Sequence, residues 1–283
     1  MRPPTHREID LARSLYPGAG WADGHVDEGG SEHLVLVAAP VAVLRIARSD
    51  RAARDLPRRV AVVEALAARL PFELPVPLSK VEQRGPMTAV VQRFVPGSTH
   101  PFGSGDPGRL RALLRQLEAV DTDPVRSMLA EPFDYVGPWT EHRRERTLAV
   151  LPAHLRSIAV DVLAAVGSYA DQPPGLVHGD LAGDNMRWVD GELAGVLDWD
   201  RAAAWDPAIN LAHLSIWHGA DLIGQLTDDP EKARRAIVWG AAQSLERVDH
   251  LATRTDTPDS DRLLRKIEPR LRRAGAVLSR PGH

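Results

Sequence analysis

The segment Gly175–Asp200, with the sequence GLVHGDLAGDNMRWVDGELAGVLDWD, holds most of the chemically informative residues of this 283-residue chain. Two short apolar runs within it, Met186–Val189 and Ala194–Leu197, are joined through Asp190-Gly191. Asp-Gly between two apolar runs is a strong signal for a β-hairpin with a tight turn. The segment therefore predicts a hairpin, and acidic residues stand on both sides of it.

The acidic residues around this hairpin match the needs of phosphoryl transfer. That reaction requires a carboxylate to orient or deprotonate the attacking hydroxyl, and hard oxygen ligands to hold Mg²⁺ against the nucleotide phosphates. Asp180 suits the first role, and Asn185 and Asp198 suit the second. A tight turn brings the two strand ends together, so the hairpin returns Asp198 to the side where Asn185 lies.

Three linked elements carry a family resemblance. The pattern H-G-D-x-x-x-x-N is met from His178 to Asn185, an L-D-W element follows at Asp198, and a D-P element follows at Asp206. Over nearly its whole length the chain resembles the aminoglycoside phosphotransferase family, whose fold is similar to that of eukaryotic-type protein kinases. Protein kinases usually carry Arg where Gly179 stands, so the resemblance implies a small-molecule substrate and not a protein.

The resemblance implies an α+β, protein-kinase-like fold with two lobes. Residues 1–97 form an N-terminal nucleotide-binding lobe with a mixed, antiparallel sheet that ends in the linker. Residues 98–283 form a mainly helical C-terminal lobe with the catalytic loop, the hairpin and the acceptor pocket. The Gly- and Pro-rich stretch after Pro96-Gly97 marks the predicted boundary.

By the same resemblance, the N-terminal lobe holds the nucleotide, either ATP or GTP, as co-substrate. Ser31 lies in the loop over the phosphates, although this loop lacks a full G-x-G-x-x-G pattern. The linker reads the base through the carbonyl of Arg93 and the amide of Val95. These contacts are made by the main chain, so the side chains do not tell adenine from guanine.

The phosphate-contacting lysine of the family has no counterpart here, because the first lysine of the chain is Lys80. Arg45 occupies the matching place on its strand and supplies a planar, forked cation instead of a point charge. Apolar residues three to four apart predict a helix from Pro57 to Leu70. Glu64 is the only acid on that helix, which predicts an Arg45–Glu64 ion pair.

Two residues of the motif keep alternative roles. His178 acts either as a general base or, as is usual in this fold, as a brace for the catalytic loop. Asp200 either assists the metal site or is a solvated surface acid.

Composition excludes several classes of protein. The chain has no cysteine, which rules out disulfides, thiolate nucleophiles and cysteine-bound zinc. The formal net charge of −3 lacks the basic footprint of a nucleic-acid binder. Neither a signal-peptide-like run nor a membrane span is evident, so we expect a cytoplasmic protein without nucleic-acid or membrane partners, either a monomer or a homodimer.

The acceptor is predicted from charge and from resemblance. Residues 180–206 contain seven acids and two arginines, a local net charge of −5 that would attract a cationic molecule. The stretch Ala47–Pro57 and the loop form V-H-G-D-L-x-G-x-N resemble the phosphotransferases of viomycin and capreomycin. We therefore expect transfer of the terminal nucleotide phosphate to a hydroxyl of an aminoglycoside or a basic cyclic peptide, with resistance as the result.

Two other functions stay open at this point. One is a metabolic kinase of the same fold, acting on a sugar, an amino alcohol or an amino acid. The other is a nucleotide-binding protein without catalysis, which is suggested by Arg45 and by the incomplete glycine loop.

Overall fold

A computed structural model describes residues 1–132, 137–253 and 260–279 of the chain. The chain divides into two compact units that are interleaved along the sequence. The sheet unit comprises Met1–His100, Asp123–Leu129 and Asp184–Asp200, and the helical unit comprises the remaining residues. The predicted lobes are two continuous stretches, and their boundary at Gly97 stays a prediction.

A five-stranded antiparallel sheet with the order β1-β2-β3-β5-β4 forms the centre of the sheet unit. Along β3 the buried residues alternate with partly exposed ones, so Leu44 faces the core and Arg45 faces the opposite side. In the register of the sheet, Arg45 lies between Val35 of β2 and Val90 of β5. The strands are β1 His25–Asp27, β2 His33–Ala38, β3 Ala42–Ala47, β4 Glu82–Arg84 and β5 Met87–Arg93.

Apolar side chains cover both faces of this sheet. On one face, Leu36 and Leu44 pack with Trp21 and with helix α1, His6–Leu15. On the other face, Val90 packs with Leu56 of helix α2, Asp50–Ala67. Both faces are therefore buried, so a charged side chain that leaves the α2 face of the sheet must find its partners inside the protein.

Helix α2 begins earlier than the sequence predicts. The side chain of Ser49 caps the helix by accepting a hydrogen bond from the amide of Ala52, and Pro57 lies inside the helix. The predicted start at Pro57 is therefore wrong. Burial of Ala52 and Leu56 shows that the apolar face of the helix already starts in the first turn, which compensates for the hydrogen bond that Pro57 cannot donate.

The predicted hairpin is present as β7, Met186–Val189, and β8, Glu192–Val196, and it belongs to the sheet unit. Two backbone ladders attach it there. Ser98 exchanges hydrogen bonds of 2.9 and 3.0 Å with Trp188, and Glu73 accepts from Val196 at 3.0 Å. A Cβ atom at Gly195 would lie 2.5 Å from both the Glu73 carbonyl oxygen and Val95, so only glycine permits this approach.

The helical unit contains seven helices among its described residues and a two-stranded antiparallel sheet, β6 with β9. Its elements are α3 Pro107–Glu118, α4 Glu141–Val150, α5 Ala153–Ser168, β6 Gly175–Val177, β9 Ala203–Trp205, α6 Ala208–His218, α7 Ile223–Leu226, α8 Pro230–Ala252 and α9 Ser260–Leu278. No helix in the described part of the chain is both long and apolar enough to cross a membrane.

Candidate active site

The catalytic loop follows β6 in the helical unit. His178 is fully buried, and its Nδ1 accepts a hydrogen bond of 3.2 Å from the backbone amide of Asp180. This bond is consistent with the predicted bracing role of His178, which stays a prediction. Asp180 itself is partly exposed.

Gly179 has φ of +83°, the left-handed conformation that glycine adopts at low cost. A Cβ atom there would lie 2.4 Å from the carbonyl oxygen of Arg201. Two independent features therefore restrict this position to glycine. One is the left-handed backbone conformation, and the other is the close approach to the backbone of Arg201.

Asp206 closes the region after the loop. Its fully buried carboxylate accepts from the amide of Ala208 at 3.0 Å, from Trp239 Nε1 at 2.8 Å and from Arg235 Nε at 3.1 Å. The carboxylate of Asp206 thus satisfies a free amide at the start of α6, whose first residue is Ala208.

The two predicted metal ligands lie at the open end of the hairpin in the sheet unit. The amide of Leu197 donates to the carbonyl of Asn185 at 2.8 Å, so the residues that enter and leave the hairpin are held side by side. Asp198 follows with φ of +57°, a strained conformation for a residue other than glycine. Its carboxylate is about half exposed.

The donor set of the hairpin fits Mg²⁺ that arrives with a nucleotide. Asn185 and Asp198 offer one amide oxygen and one carboxylate, and Mg²⁺ in such sites takes one or two carboxylates with water and substrate phosphates. Among the described residues, no group of three or more His, Cys, Asp or Glu side chains could hold a metal ion.

Arg45 does not form the predicted pair with Glu64. Its Nη1 donates to Asp200 Oδ1 at 3.2 Å, and its Nη2 donates to Asp200 Oδ2 at 2.8 Å. Glu64 lies on the exposed face of α2. The prediction of this pair is wrong because α2 turns Arg59, and not an acid, toward the strand that carries Arg45.

The remaining nucleotide residues of the prediction lie in two segments of the sheet unit. Ser31 is exposed in the turn between β1 and β2, and Arg48 Nη1 donates to the Gly30 carbonyl of that turn at 2.6 Å. Arg93 ends β5, and Val95 follows with a buried side chain. The amide of Val95 donates to no atom in the described ranges of the chain.

Comparison with known proteins identifies the family. The model of the phosphotransferase enzyme family matches residues 26–251. The chain is also 32% identical, over 240 residues, to the viomycin phosphotransferase of Streptomyces vinaceus, an alignment that covers 78% of this chain and 82% of that protein. The chain belongs to the phosphotransferase enzyme family.

Solved structures agree on the fold of this phosphotransferase. The GDP complex of an aminoglycoside 2′-phosphotransferase-IIIa variant superimposes with a TM-score of 0.79 at 15% identity, covering 96% of this chain and 99% of that chain. The macrolide 2′-phosphotransferase MphH from Brachybacterium faecium gives a TM-score of 0.67 at 19% identity, covering 94% and 99%. The predicted α+β, kinase-like fold is confirmed.

The sequence left the role of Asp200 open and did not indicate His33. Asp200 is neither solvated nor peripheral: burial raises its pKa, but Arg45 and Arg59 outweigh burial and hold that pKa at about 2. His33 lies against the same group, since its Nδ1 is 2.9 Å from Arg45 Nη2. A guanidinium only donates, so this Nδ1 accepts. Burial and then Arg45 lower the pKa of His33 to about 3, which keeps the imidazole neutral.

Several of the acids that the sequence assigned to substrate attraction have partners within the phosphotransferase. Asp200 is paired with arginines, and so is Asp206. In the C-terminal helices, Asp221 pairs with Arg273, and Asp229 caps α8 by accepting from the amides of Glu231 and Lys232. The formal charge of −5 therefore overstates the field available to a cationic acceptor.

Proposed function

We propose that this phosphotransferase moves the terminal phosphate of a nucleoside triphosphate to a hydroxyl group of an antibiotic, and that the modification confers resistance. The observation that carries the proposal is the anchored catalytic loop, in which the amide of Asp180 is fixed to buried His178 at 3.2 Å. The viomycin phosphotransferase relative, matched over most of both chains, supports a basic cyclic peptide as the acceptor.

Asp180 is the proposed catalytic residue. Its carboxylate accepts a hydrogen bond from the acceptor hydroxyl and takes up the proton as the oxygen bonds to phosphorus. The anchored amide of Asp180 fixes the backbone from which this carboxylate projects, so the loop need not reorganise when the hydroxyl arrives. The product is the phosphorylated antibiotic together with the nucleoside diphosphate.

Asn185 and Asp198 are the proposed ligands of Mg²⁺. When bound, Mg²⁺ supplies positive charge that offsets the charge of the phosphates. The backbone bond between Leu197 and Asn185 keeps both ligand-bearing residues in register before the ion arrives. Arg45 lies 3.7 Å from the Asp198 carboxylate and adds a fixed positive charge beside it.

The nucleotide is proposed to lie on the sheet unit. Ser31 covers its phosphates, and the Arg93 carbonyl and the Val95 amide hold its base. Support comes from the Val95 amide, which is left without a hydrogen-bond acceptor in the described chain although its side chain is buried. The streptomycin–ATP complex of APH(2″)-IIa, with a TM-score of 0.68 at 12% identity, contains a nucleoside triphosphate on the same fold.

The test measures phosphate transfer from ATP and GTP to a panel of viomycin, capreomycin, aminoglycosides, sugars, amino alcohols and amino acids. We expect the cyclic peptides to be the best acceptors, with drug resistance in a sensitive host that expresses the chain. Preferential transfer to a metabolite would replace the antibiotic by a metabolic substrate. Nucleotide binding without transfer to any acceptor would overturn the enzymatic assignment.

The matched variant is Asp180→Asn, which preserves shape and removes the base. Turnover should fall by about 10³-fold or more, while the affinity for nucleotide changes little, because proton acceptance and orientation are lost together. Asp190→Asn, in the exposed turn of the hairpin, is the control. Near-normal turnover of Asp180→Asn would contradict the catalytic assignment.

A further inference from the structure

Asp200 is held by two arginines from two different elements of the sheet unit. Its Oδ2 accepts from Arg45 Nη2 of β3 and from Arg59 Nη1 of α2, both at 2.8 Å. Its Oδ1 accepts from Arg45 Nη1 at 3.2 Å. The side chains of all three residues are at least 88% buried. We call these three residues the arginine clamp.

The surroundings of the clamp fix each arginine separately. Besides its bond to Asp200, Arg45 Nη2 donates a hydrogen bond of 2.9 Å to His33 Nδ1. Arg59 Nη2 donates to Glu32 at 3.1 Å and lies 3.6 Å from Asp55. Two cations thus face the three carboxylates of Asp200, Glu32 and Asp55, and neither arginine can leave without exposing the buried carboxylate of Asp200.

The arginine clamp limits which further hydrogen bonds the guanidinium of Arg45 can donate. The two Nη atoms form the end of the guanidinium fork, and this end already grips the carboxylate of Asp200 in a bidentate pair. A second bidentate grip on a phosphate through the same end would require Arg45 to release Asp200. The geometry therefore assigns Arg45 a partner within the protein, in addition to its charge beside the nucleotide.

The position of the clamp in the chain suggests its purpose. Asp200 follows the proposed metal ligand Asp198 by two residues, within the short helical turn Trp199–Arg201. Asp198 has the left-handed φ of +57°, which costs free energy and must be maintained by its neighbours. The indole of Trp199 holds one side of this turn by donating to the Val196 carbonyl at 2.9 Å, and the clamp holds the other.

We propose that Asp200 and Arg59 are positioning residues, which hold the strained turn so that the Asp198 carboxylate is directed to the metal–nucleotide. This inference rests on the proposed function and extends it to two residues that act through the proposed ligand Asp198. Arg59 takes the place that an acid on α2 was predicted to fill, and Asp200 is the carboxylate that links α2 to β3. The ion pairs of Asp200 therefore join α2 to β3 in place of the predicted Arg45–Glu64 pair.

The first test measures metal binding without catalysis. Mn²⁺ is titrated in the presence of a non-hydrolysable ATP analogue, and free ion is followed by electron paramagnetic resonance. Asp200→Asn and Arg59→Met should weaken Mn²⁺ binding by about tenfold, because the ligand Asp198 becomes free to turn away. Binding of the analogue without metal should change by less than about threefold, since no nucleotide contact is removed.

The controls are matched in chemistry and location. Asp190→Asn changes an exposed acid of the same hairpin, and Arg54→Met changes an exposed arginine of the same helix. Arg59→Lys keeps a cation and should recover part of the lost Mn²⁺ affinity, which a purely structural loss of stability would not predict. If Asp200→Asn fails to fold, Arg59→Lys and Arg59→Met decide the question.

The second test separates this proposal from the proposed function. With an accepted antibiotic, Asp200→Asn should lower kcat and raise the Mg²⁺ concentration needed for half-maximal turnover, with the acceptor KM unchanged. Mn²⁺ affinity in Asp200→Asn and Arg59→Met equal to that of their controls would overturn the positioning role. Loss of Mn²⁺ affinity in a chain that phosphorylates no acceptor would overturn only the proposed function.

Discussion

Asn210 accepts a hydrogen bond of 3.0 Å from the backbone amide of His178, while its own side-chain amide donates to the carbonyl of Leu176 at 2.8 Å. Both ends of one buried amide side chain therefore bind the backbone just before the catalytic loop. An acid could accept one of these bonds but could not donate the other.

Asn210→Asp should destabilise the protein by about 1–3 kcal/mol at pH 8, because the Leu176 carbonyl loses its donor and a charge is buried. Asn210→Ala should cost a similar amount by leaving two backbone groups unpaired. Chemical denaturation measures both free energies of unfolding. Wild-type stability of Asn210→Asp would show that the hydrogen bond from Asn210 to the Leu176 carbonyl is not required for the fold.

Gly179→Ala should abolish turnover and lower stability by more than about 3 kcal/mol, because a left-handed conformation and a close contact are both violated. The control is Gly85→Ala. Gly85 has φ of +59° but no atom within 4 Å of the added Cβ, so this variant should show only the backbone cost of about 1–2 kcal/mol. Thermal unfolding and transfer assays compare the two variants. Equal losses of stability would contradict the contact with Arg201.

Features that depend on neighbouring residues could be predicted from the sequence, and features that depend on distant residues could not. The hairpin follows from two short apolar runs joined by Asp190-Gly191, so neighbouring residues were sufficient. The start of α2 was missed because Pro57 looks like a first-turn residue. The cap formed by Ser49 and the buried Ala52 were the signal that would have placed the start correctly.

The candidate site divides along the same line. Asp180, Asn185 and Asp198 belong to one short motif, and their spacing alone marks them. The arginine clamp joins residues that are 141 and 155 positions apart in sequence, so no local pattern connects them. Choosing Glu64 as the partner of Arg45 assumed that an acid on α2 faces the sheet. The buried face of α2 contains Leu56, Val60 and Val63; Arg59 lies on that buried side, and Glu64 is exposed.

Glu246 predicts a pH dependence of stability. Burial in the helical unit raises its pKa from 4.5 to about 7, although Arg143, Arg201 and Arg247 oppose the rise and Asp249 adds to it. Between pH 4.5 and 7 the unfolded chain releases this proton before the folded chain does, so stability falls as pH increases through that window. The contribution is about 1–3 kcal/mol.

Glu246→Gln removes the titrating proton and should flatten this part of the stability profile, with the largest gain above pH 7. Thermal unfolding between pH 5 and pH 8 measures it. Glu145→Gln, an exposed acid on α4, is the control and should leave the profile unchanged. An unaltered slope in Glu246→Gln would mean that the pKa of Glu246 is not raised in the folded chain.

Recognition of the base through the linker can be tested with nucleotides instead of variants. If the Val95 amide donates to N1 of adenine and the Arg93 carbonyl accepts from its amino group, 1-deaza-ATP loses the acceptor and leaves the amide unpaired. Its affinity should fall by about tenfold relative to ATP. The control, 7-deaza-ATP, keeps both groups that face the linker and should bind like ATP. Calorimetry measures all three affinities, and tight binding of 1-deaza-ATP would show that the base does not use the Val95 amide.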